Sequence, residues 1–469
     1  MNIFLNKKTF ICLFFIFSAL FPFLSCGADD DIEFHIQGRQ LFLNGESFTV
    51  KGVNYSPVPI GASFDDGDKI GDVFFDYFNP IHQIDFEYMR EMGANTIRIY
   101  GIFPWHPLEG PKNPRDHSNF LNLAYNNGEG PIYIFASYPI SSSIFRYRVA
   151  DHKPTDNSFY VILPTGPNGS DQIWVMDEQQ EQEGFTWLGK QNASQRRESD
   201  RQAYLALAKK YKDHPAILGW VIGNELNSPQ NRVNPAYWEY LNSLAGELKE
   251  ITPNKITMVT LIDDGMITLK KVKELGVDVS HIDVWGINSY RGNVHEGQNN
   301  FGRGEGSLFK QYAAVSDKPL IISEFGPSST TRQEIIDENL IPTEPKDMEL
   351  LVQLCPNGVM TELPDNAALA ALYIEGHWED IIRHRSIVSG GIVFEWQDEY
   401  WKAGDQHQQT LSKATNVDFP GGCWDEEGFG IMGVRLKRSS SREWPYPFVP
   451  DERLPRAQYE VLRTLWKNQ

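Results

Sequence analysis

The sequence predicts an α/β protein, a single (β/α)8 barrel with long loops after its third, seventh and eighth strands. Three observations predict it. From Glu33 on, eight short apolar segments alternate with amphipathic helical ones, the pattern of parallel strands joined by helices. The 469 residues suit one barrel with insertions, and neither a linker nor a fixed-period repeat divides them. Polar side chains collect at the ends of the apolar segments, where such barrels build their sites.

The elements follow in order. "FHIQGRQLFLNGESFTV" reads as a hairpin-like opening with an Asn44-Gly45 turn. "KGVNYSP" is a first barrel strand, near residues 50–56. Asp85 is placed to cap a helix, Met89 and Met92 stripe it, and Gly93 stops it before "ANTIRIYG", the second strand. "GPIYIFASYP" (130–139) is the third strand and "AILGWVIGNE" (216–225) the fourth. Asn234 and Pro235 open a helix carrying Tyr237, Leu241, Leu244, Leu248 and Ile251 on one face. "NKITMVTLID" (254–263), "IDVWGINSY" (282–290), "KPLIISEFG" (318–326) and "SGGIVFEW" (389–396) supply strands five to eight. A helix over about 455–467 ends the chain. The three long connections, at about 139–195, 326–364 and 397–454, would all emerge at one end of the barrel. Loops of that length in a compact domain are usually lids or binding walls.

Composition narrows the partners. Asp and Glu number 62 against 43 Lys and Arg, a balance that repels nucleic-acid phosphates. Of the 12 Trp, several (Trp105, Trp187, Trp401, Trp424, Trp444) lie in polar, loop-like surroundings, where flat apolar faces suit sugar rings. The eleven His show no metal-ligand spacing such as H-E-x-x-H, so no catalytic metal is expected, and a reaction run by side chains and water would need no cofactor. "DDGDKIGD" (65–72) lacks the spacing of a calcium loop and reads as a solvated loop.

The N-terminus reads as an export signal. Lys7-Lys8 precedes an apolar run over residues 10–24, too short to span a bilayer and of the length of a signal-peptide core. "FLSCGADDD" then resembles a bacterial lipobox. That resemblance implies a signal over 1–25, lipid on Cys26, a short tether over 26–32 and a catalytic domain over 33–469. The expected product is an exported monomer facing the periplasm or cell surface, touching the membrane through the lipid alone. Cys355 and Cys423 would then meet an oxidising compartment, where they either pair as a disulfide or stay as two thiols.

The strand ends carry the chemistry. Asn54 and Tyr55 end the first strand, Arg98 and Tyr100 the second, and Asn224 and Glu225 the fourth. Asn288 and Tyr290 end the sixth, Glu324 the seventh and Trp396 the eighth. Two carboxylates across one pocket are the apparatus of glycoside hydrolysis. A lone strand-end Glu is more often an ion-pair partner; two Glu with an Arg and a Tyr at one barrel end weigh the other way. Glu395, Asp398, Glu399, Asp263 and Asp264 are rival carboxylates, read as substrate contacts or solvated groups. Alternation from Trp396 would turn Glu395 away from the barrel interior.

"GWVIGNEL" and "PLIISEFG" resemble the fourth- and seventh-strand signatures of clan A glycoside hydrolases, retaining enzymes on a TIM barrel. "FLNGESFTVKGVNYSP" is similar to the start of the barrel domain of glycoside hydrolase family 2 and to the family 72 β-glucanosyltransferases. The Asn-x-Tyr pattern at strand six is closer to those two families than the His-x-Tyr of family 5. No space is left for the β-sandwich domains that precede the barrel in family 2, and "GGIVFEWQDEYWK" matches neither family well. The resemblance implies Glu225 as acid/base and Glu324 as nucleophile, about 5–5.5 Å apart as retention requires. It further implies Asn224 on the sugar 2-hydroxyl, Arg98 and Tyr290 on the nucleophile, and Trp396 under the reacting sugar. Asn54, Tyr55 and Asn288 complete the expected substrate-binding set.

Three functions fit these residues. The first is a retaining hydrolase of a β-linked glucan or related oligosaccharide. The second is a transglycosylase in which a sugar hydroxyl replaces water. The third is an inactive surface glycan-binding lipoprotein on the same scaffold. An aldolase-type barrel would want a Schiff-base Lys or a metal at a strand end, and neither is found there.

Overall fold

The computed structural model describes residues 32–62, 72–105, 110–138, 146–148, 185–187, 193–291, 308–328, 367–402, 407, 427–437 and 449–468. Cys26, Cys355 and Cys423, the export signal and the acidic run 65–71 lie outside them.

Eight strands close a barrel in chain order, each parallel to the next. They are β1 (Val50–Asn54), β2 (Thr96–Arg98), β3 (Tyr133–Ser137), β4 (Ile217–Val221), β5 (Ile256–Ile262), β6 (Val284–Asn288), β7 (Leu320–Phe325) and β8 (Val388–Val393). Among the described residues a main helix follows each: α1 (Asn79–Met92), α2 (Ser118–Tyr125), α3 (Ala193–Tyr211), α4 (Pro235–Ile251, after a single turn at Pro229–Arg232), α5 (Ile267–Leu275), α6 (Leu308–Val315), α7 (Ala367–Arg383) and α8 (Ala457–Lys467). The predicted fold class is therefore the observed one.

The strands are buried on both faces, as a helix-covered parallel sheet requires, and read as apolar runs rather than clean alternations. Their side chains sort into two cores. One lies between strands and helices and includes Ile97, Trp220, Val259, Trp285, Ile322 and Trp378. The other, with Phe135, Leu218, Met258, Val284, Ile321 and Ile392, continues into the N-terminal segment through Phe34, Leu41 and Phe48.

That segment is a three-stranded antiparallel sheet (Phe34–Gln37, Gln40–Leu43, Glu46–Phe48) rather than one hairpin. Asn44 and Gly45 turn it, both at positive φ as a tight primed turn demands. Phe34 and Phe48 meet Tyr133, the first residue of β3, edge-on at 5.1 and 5.8 Å, so the sheet plugs the N-terminal mouth of the barrel. The open mouth is the opposite one.

The helix ring closes through α8: Trp378 of α7 packs edge-on against Trp466 of α8 at 5.4 Å, and Tyr459 of α8 meets Tyr88 of α1 at 6.0 Å. Asp85 is not a cap. It sits inside α1, fully buried, where it takes both arms of Arg453 at 2.7 and 3.0 Å. Asp72 is likewise buried rather than solvated, held by His117 at 2.8 Å and Arg115 at 3.3 Å.

Candidate active site

The site grows from the C-terminal ends of β2, β4, β6 and β7. Strand β4 ends at Val221, and the chain then turns sharply. Gly223 has φ +72, and a Cβ there would strike the Leu226 side chain at 2.6 Å. Glu225 also sits at positive φ (+54), a conformation a non-glycine residue rarely takes without tertiary support. Backbone outliers of this kind concentrate at functional sites. This one turns Glu225 toward β6, where the Asn288 amide donates to its Oε1 at 3.0 Å.

Strand β7 solves a different problem. Strict alternation would send Ser323 and Glu324 to opposite faces, yet both face the pocket. The register between β6 and β7 slips at this point, pairing Ile287 with Ile322 but Asn288 with Glu324. Such an irregularity re-aims a side chain at a strand end. Ser323 then reaches Asn288 while Glu324 reaches across to β2.

Glu324 is 5% exposed and held by three donors from two other strand ends. Arg98 Nη1 donates to Oε1 at 3.0 Å, the Tyr100 hydroxyl to the same oxygen at 2.6 Å, and the Tyr290 hydroxyl to Oε2 at 2.8 Å. Three donors thus converge on its two oxygens, in the short range of charge-assisted bonds. Burial pushes both tyrosine hydroxyls well above their usual range, and the charge of Glu324 adds to the shift. Both therefore remain donors throughout the working pH of an enzyme. The charge of Glu225 also raises Tyr290, so this hydroxyl lies under the influence of both carboxylates.

Asn224 is half-buried beside them. Its Oδ1 accepts from Arg98 Nη2 at 2.6 Å and Asn288 Nδ2 at 3.1 Å, with Thr260 Oγ1 at 3.3 Å. With that oxygen taken, its amide N–H groups are the part left to meet a ligand. Asn54 lies beneath, with Nδ2 on the carbonyls of Ser323 and Val393 and Oδ1 3.0 Å from the Tyr100 hydroxyl.

No family model matches the sequence, and no curated protein is similar to it. Solved structures are similar in fold. A glycoside hydrolase family 2 β-galacturonidase from Eisenbergiella tayi, bound to galacturonate, is 14% identical with a TM-score of 0.50, over 93% of this chain and 55% of that one. A β-D-glucuronidase of Dictyoglomus thermophilum is 15% identical with a TM-score of 0.49, over 93% and 54%. The chain thus spans about half the length of these structures, and identities this low show a shared fold alone.

The structure brings Arg98, Asn224, Glu225, Asn288, Tyr290, Glu324 and Asn54 together. Two expected residues are elsewhere. Tyr55 faces the outer layer, fully buried, its hydroxyl 2.9 Å from His82 Nδ1 and 2.9 Å from Asp85 Oδ2. Its neighbour Asn54 faces inward, and consecutive strand residues point opposite ways. Trp396 is also fully buried and packs against Tyr459 of α8 at 6.5 Å rather than flooring the pocket. Phe394 takes that place, edge-on to Tyr100 at 6.5 Å and Tyr290 at 6.4 Å. Strand β8 ends at Val393, so alternation counted back from Trp396 does not hold.

Glu395 is accordingly not remote: buried, it adds its charge to the upward shift of Tyr100. The remaining rival carboxylates are buried in ion pairs rather than solvated. Asp398 takes Arg456 at 2.7 and 2.8 Å, Glu399 pairs with Lys402, and Asp263 and Asp264 pair with Arg291 and Arg232. Tyr100 is the residue whose contact with the nucleophile candidate exceeded expectation. It lies two positions after Arg98, on the same side of the chain, which is the signal that could have placed it.

Proposed function

We propose that this chain is a retaining β-glycoside hydrolase acting on a β-linked glucan or related oligosaccharide, with Glu324 as nucleophile and Glu225 as acid/base. The observation that carries the reading is the contrast between the two carboxylates. Glu324 receives three donors that fix both of its oxygens in place to attack an anomeric carbon. Glu225 receives the Asn288 amide at its Oε1 and lies across the strand ends from Glu324, where it is assigned to pass a proton to the leaving oxygen.

In the first step a Glu324 oxygen displaces the aglycone while Glu225 gives its proton to the departing oxygen. Covalent capture removes the negative charge of Glu324. Glu225, now ionised, takes a proton from the incoming water, and the resulting hydroxide releases the sugar. A sugar hydroxyl entering in place of water gives the transglycosylase reading with the same residues. The carboxyl groups should stand about 5–5.5 Å apart. Asn224 is assigned to the 2-hydroxyl through its free amide N–H groups, and Phe394 to the face of the reacting sugar. Export with lipid on Cys26 would set this chemistry at the periplasm or cell surface.

Product analysis with a panel of β-linked oligosaccharides tests the activity, linkage and any elongation by transfer. The panel should include β-glucuronides and β-galacturonides, because the Lys402 ammonium lies 4.8 Å from the Phe394 ring centre, although Glu399 already pairs with it. A 2-fluoro sugar of the accepted class should add its mass to the peptide bearing Glu324. Glu324→Ala that binds glycan without turning it over fits the reading. Undiminished turnover in that variant would sink it.

A further inference from the structure

We infer that Asn227 is a positioning residue: its side-chain amide pins to β5 the short loop that carries Glu225, and so holds the acid/base in place. The inference rests on Glu225 being the acid/base of the proposed reaction.

The hydrogen bonds between β4 and β5 show the loop. Ile222 N–H donates to the Met258 carbonyl at 2.7 Å, in keeping with the parallel pairing of Val221 with Met258. The next backbone bond from this chain runs from Leu226 N–H to the Thr260 carbonyl at 3.2 Å. Between these two bonds the β4 chain advances four residues and β5 only two. Parallel strands in register advance equally, because their bonds are evenly spaced. Two residues are therefore looped out, an irregularity of the kind that re-aims a side chain. The looped stretch is Gly223-Asn224-Glu225, and both residues of the turn at positive φ lie in it. Such backbone persists only where its surroundings over-determine it.

Asn227 supplies that constraint just past the loop. Ile262 N–H donates to its Oδ1 at 2.8 Å, and its Nδ2 donates to the Ile262 carbonyl at 3.0 Å. The side chain thus pairs with the last residue of β5 as a strand backbone would. Asp264 Oδ2, 3.3 Å from Nδ2, selects the same amide orientation, since a carboxylate only accepts. On the near side of the loop Thr260 Oγ1 donates to the Gly223 carbonyl at 2.8 Å. Ile262 is in turn paired with Asn288 of β6, the residue whose amide meets Glu225. One position of β5 therefore joins the root of the loop to the partner of the carboxylate at its tip.

Capping does not explain Asn227. The single turn at Pro229–Arg232 takes its cap from Ser228, whose Oγ accepts from Asn231 N–H at 3.2 Å. Plain extension of the sheet does not explain it either. A strand in register would close the same bonds with its backbone and bury no side-chain amide, a group that costs free energy to bury unless bonded. Asn227 is buried, and its amide is spent on the backbone of Ile262. Asn224 shares the loop but has its own holds from Arg98, Asn288 and Thr260, so loss of the pin falls chiefly on Glu225.

The test separates leaving groups and adds azide. Acid catalysis matters for an alkyl aglycone and little for 2,4-dinitrophenolate, which departs without a proton. Azide attacks the anomeric carbon of the glycosyl-enzyme, forming the glycosyl azide and freeing the Glu324 carboxylate. No proton is removed in that step, so azide takes the place of water where base catalysis is lost. Glu225→Ala should lower kcat/KM for an alkyl β-glycoside of the accepted sugar by about 10²–10⁴-fold. Asn227→Ala should lower it by about 10–100-fold, the scale of a small misplacement. On the 2,4-dinitrophenyl glycoside Asn227→Ala should change kcat/KM by less than about fivefold. Its kcat on that substrate, limited by release of the sugar, should fall and be restored by azide, with glycosyl azide as the product.

Equal losses on both substrates with no response to azide, or full activity on both, would overturn the inference. Gly223→Ala disturbs the loop from its other end, through the contact with Leu226, and leaves the Asn227 bonds in place. It should show the same pattern and carries the test if Asn227→Ala does not fold. Failure of the underlying reading looks different: Glu225→Ala would then itself lack both the leaving-group split and the azide response.

Discussion

Two buried clusters in this barrel are made of the same parts and do different things. Around Glu324 stand Arg98, Tyr100 and Tyr290; around Asp85 stand Arg453, Tyr55 and His82. Each is a carboxylate held by a guanidinium and at least one tyrosine hydroxyl, with bonds of 2.6–3.0 Å. The difference lies in what else can reach them. The Asp85 cluster is sealed between α1, the end of β1 and the segment that leads into α8, with Asp85, Tyr55 and His82 all fully buried. The Glu324 cluster lies at the open mouth of the barrel, and Tyr100, Asn224, Glu225 and Tyr290 keep part of their surface. The same interactions lock a layer in one place and, in the proposed reaction, hold the nucleophile in the other. Residue types alone do not tell the two apart.

The largest expected effects come from making one chemical change in both clusters. Glu324→Gln should lower turnover by at least about 10⁴-fold, the scale seen when a nucleophile is removed. Its effect on stability should stay within about 2 kcal/mol, because Arg98 keeps the oxygens of Asn224, Ser323 and Asn54 as acceptors. Asp85→Asn should do the reverse. Arg453 would lose its carboxylate partner inside the protein, a change that costs about 3–5 kcal/mol. The surviving folded fraction should turn over substrate normally. Urea unfolding and active-site titration with the fluorosugar together read both quantities. A large stability loss in Glu324→Gln, or an activity loss per folded molecule in Asp85→Asn, would dissolve the contrast.

Acid sharpens the contrast further. Burial holds His82 down at about pKa 4, against about 6.5 in the unfolded chain. Its native imidazole therefore stays neutral while the unfolded one takes up a proton. The unfolded state binds more protons below pH 6.5, so stability falls as pH falls, and the loss is complete near pH 4. The full effect is about 3 kcal/mol. His82→Gln should flatten this part of the stability profile, visible as a smaller difference in urea midpoint between pH 7 and pH 4.5. An unchanged slope would show that His82 is not the titrating group.

The degree to which each cluster is legible in the sequence follows from its geometry. Arg98, Glu225, Asn288 and Glu324 stand at the ends of apolar runs, so counting strands is enough to bring them to one end of the barrel. Where a local irregularity decides, counting fails. Ser323 and Glu324 are adjacent and both face the pocket because the register slips, which no period-2 pattern encodes. Phe394 replaces Trp396 because the strand stops three residues sooner than the apolar pattern does. Asn54 and Tyr55 were separable on alternation alone, since neighbours on a strand face opposite ways. The Asp85 cluster depends on Arg453, which lies 368 residues away and on no repeating pattern. Such a partner is set by how the chain end folds back over α1.

The finest comparison deletes one hydroxyl from each cluster. Tyr55→Phe and Tyr100→Phe are the same substitution, and each removes a donor to a carboxylate, at 2.9 and 2.6 Å. In the sealed cluster the lost bond has no substitute, since water does not reach Asp85. A hydrogen bond to a charged group is worth about 1.5–3 kcal/mol, and Tyr55→Phe should cost that much stability at unchanged kcat/KM. At the open mouth, water can replace the Tyr100 hydroxyl in the resting protein, so stability should hold within about 1 kcal/mol. Activity should not hold. Glu324 Oε1 would keep Arg98 alone, and a water in place of a fixed hydroxyl must be reordered as the charge of Glu324 is used. Tyr100→Phe should therefore lower kcat/KM by about 10–100-fold. If both variants lost stability alike and neither lost activity, Tyr100 would belong with Tyr55 as a packing tyrosine, and Arg98 and Tyr290 alone would hold the nucleophile.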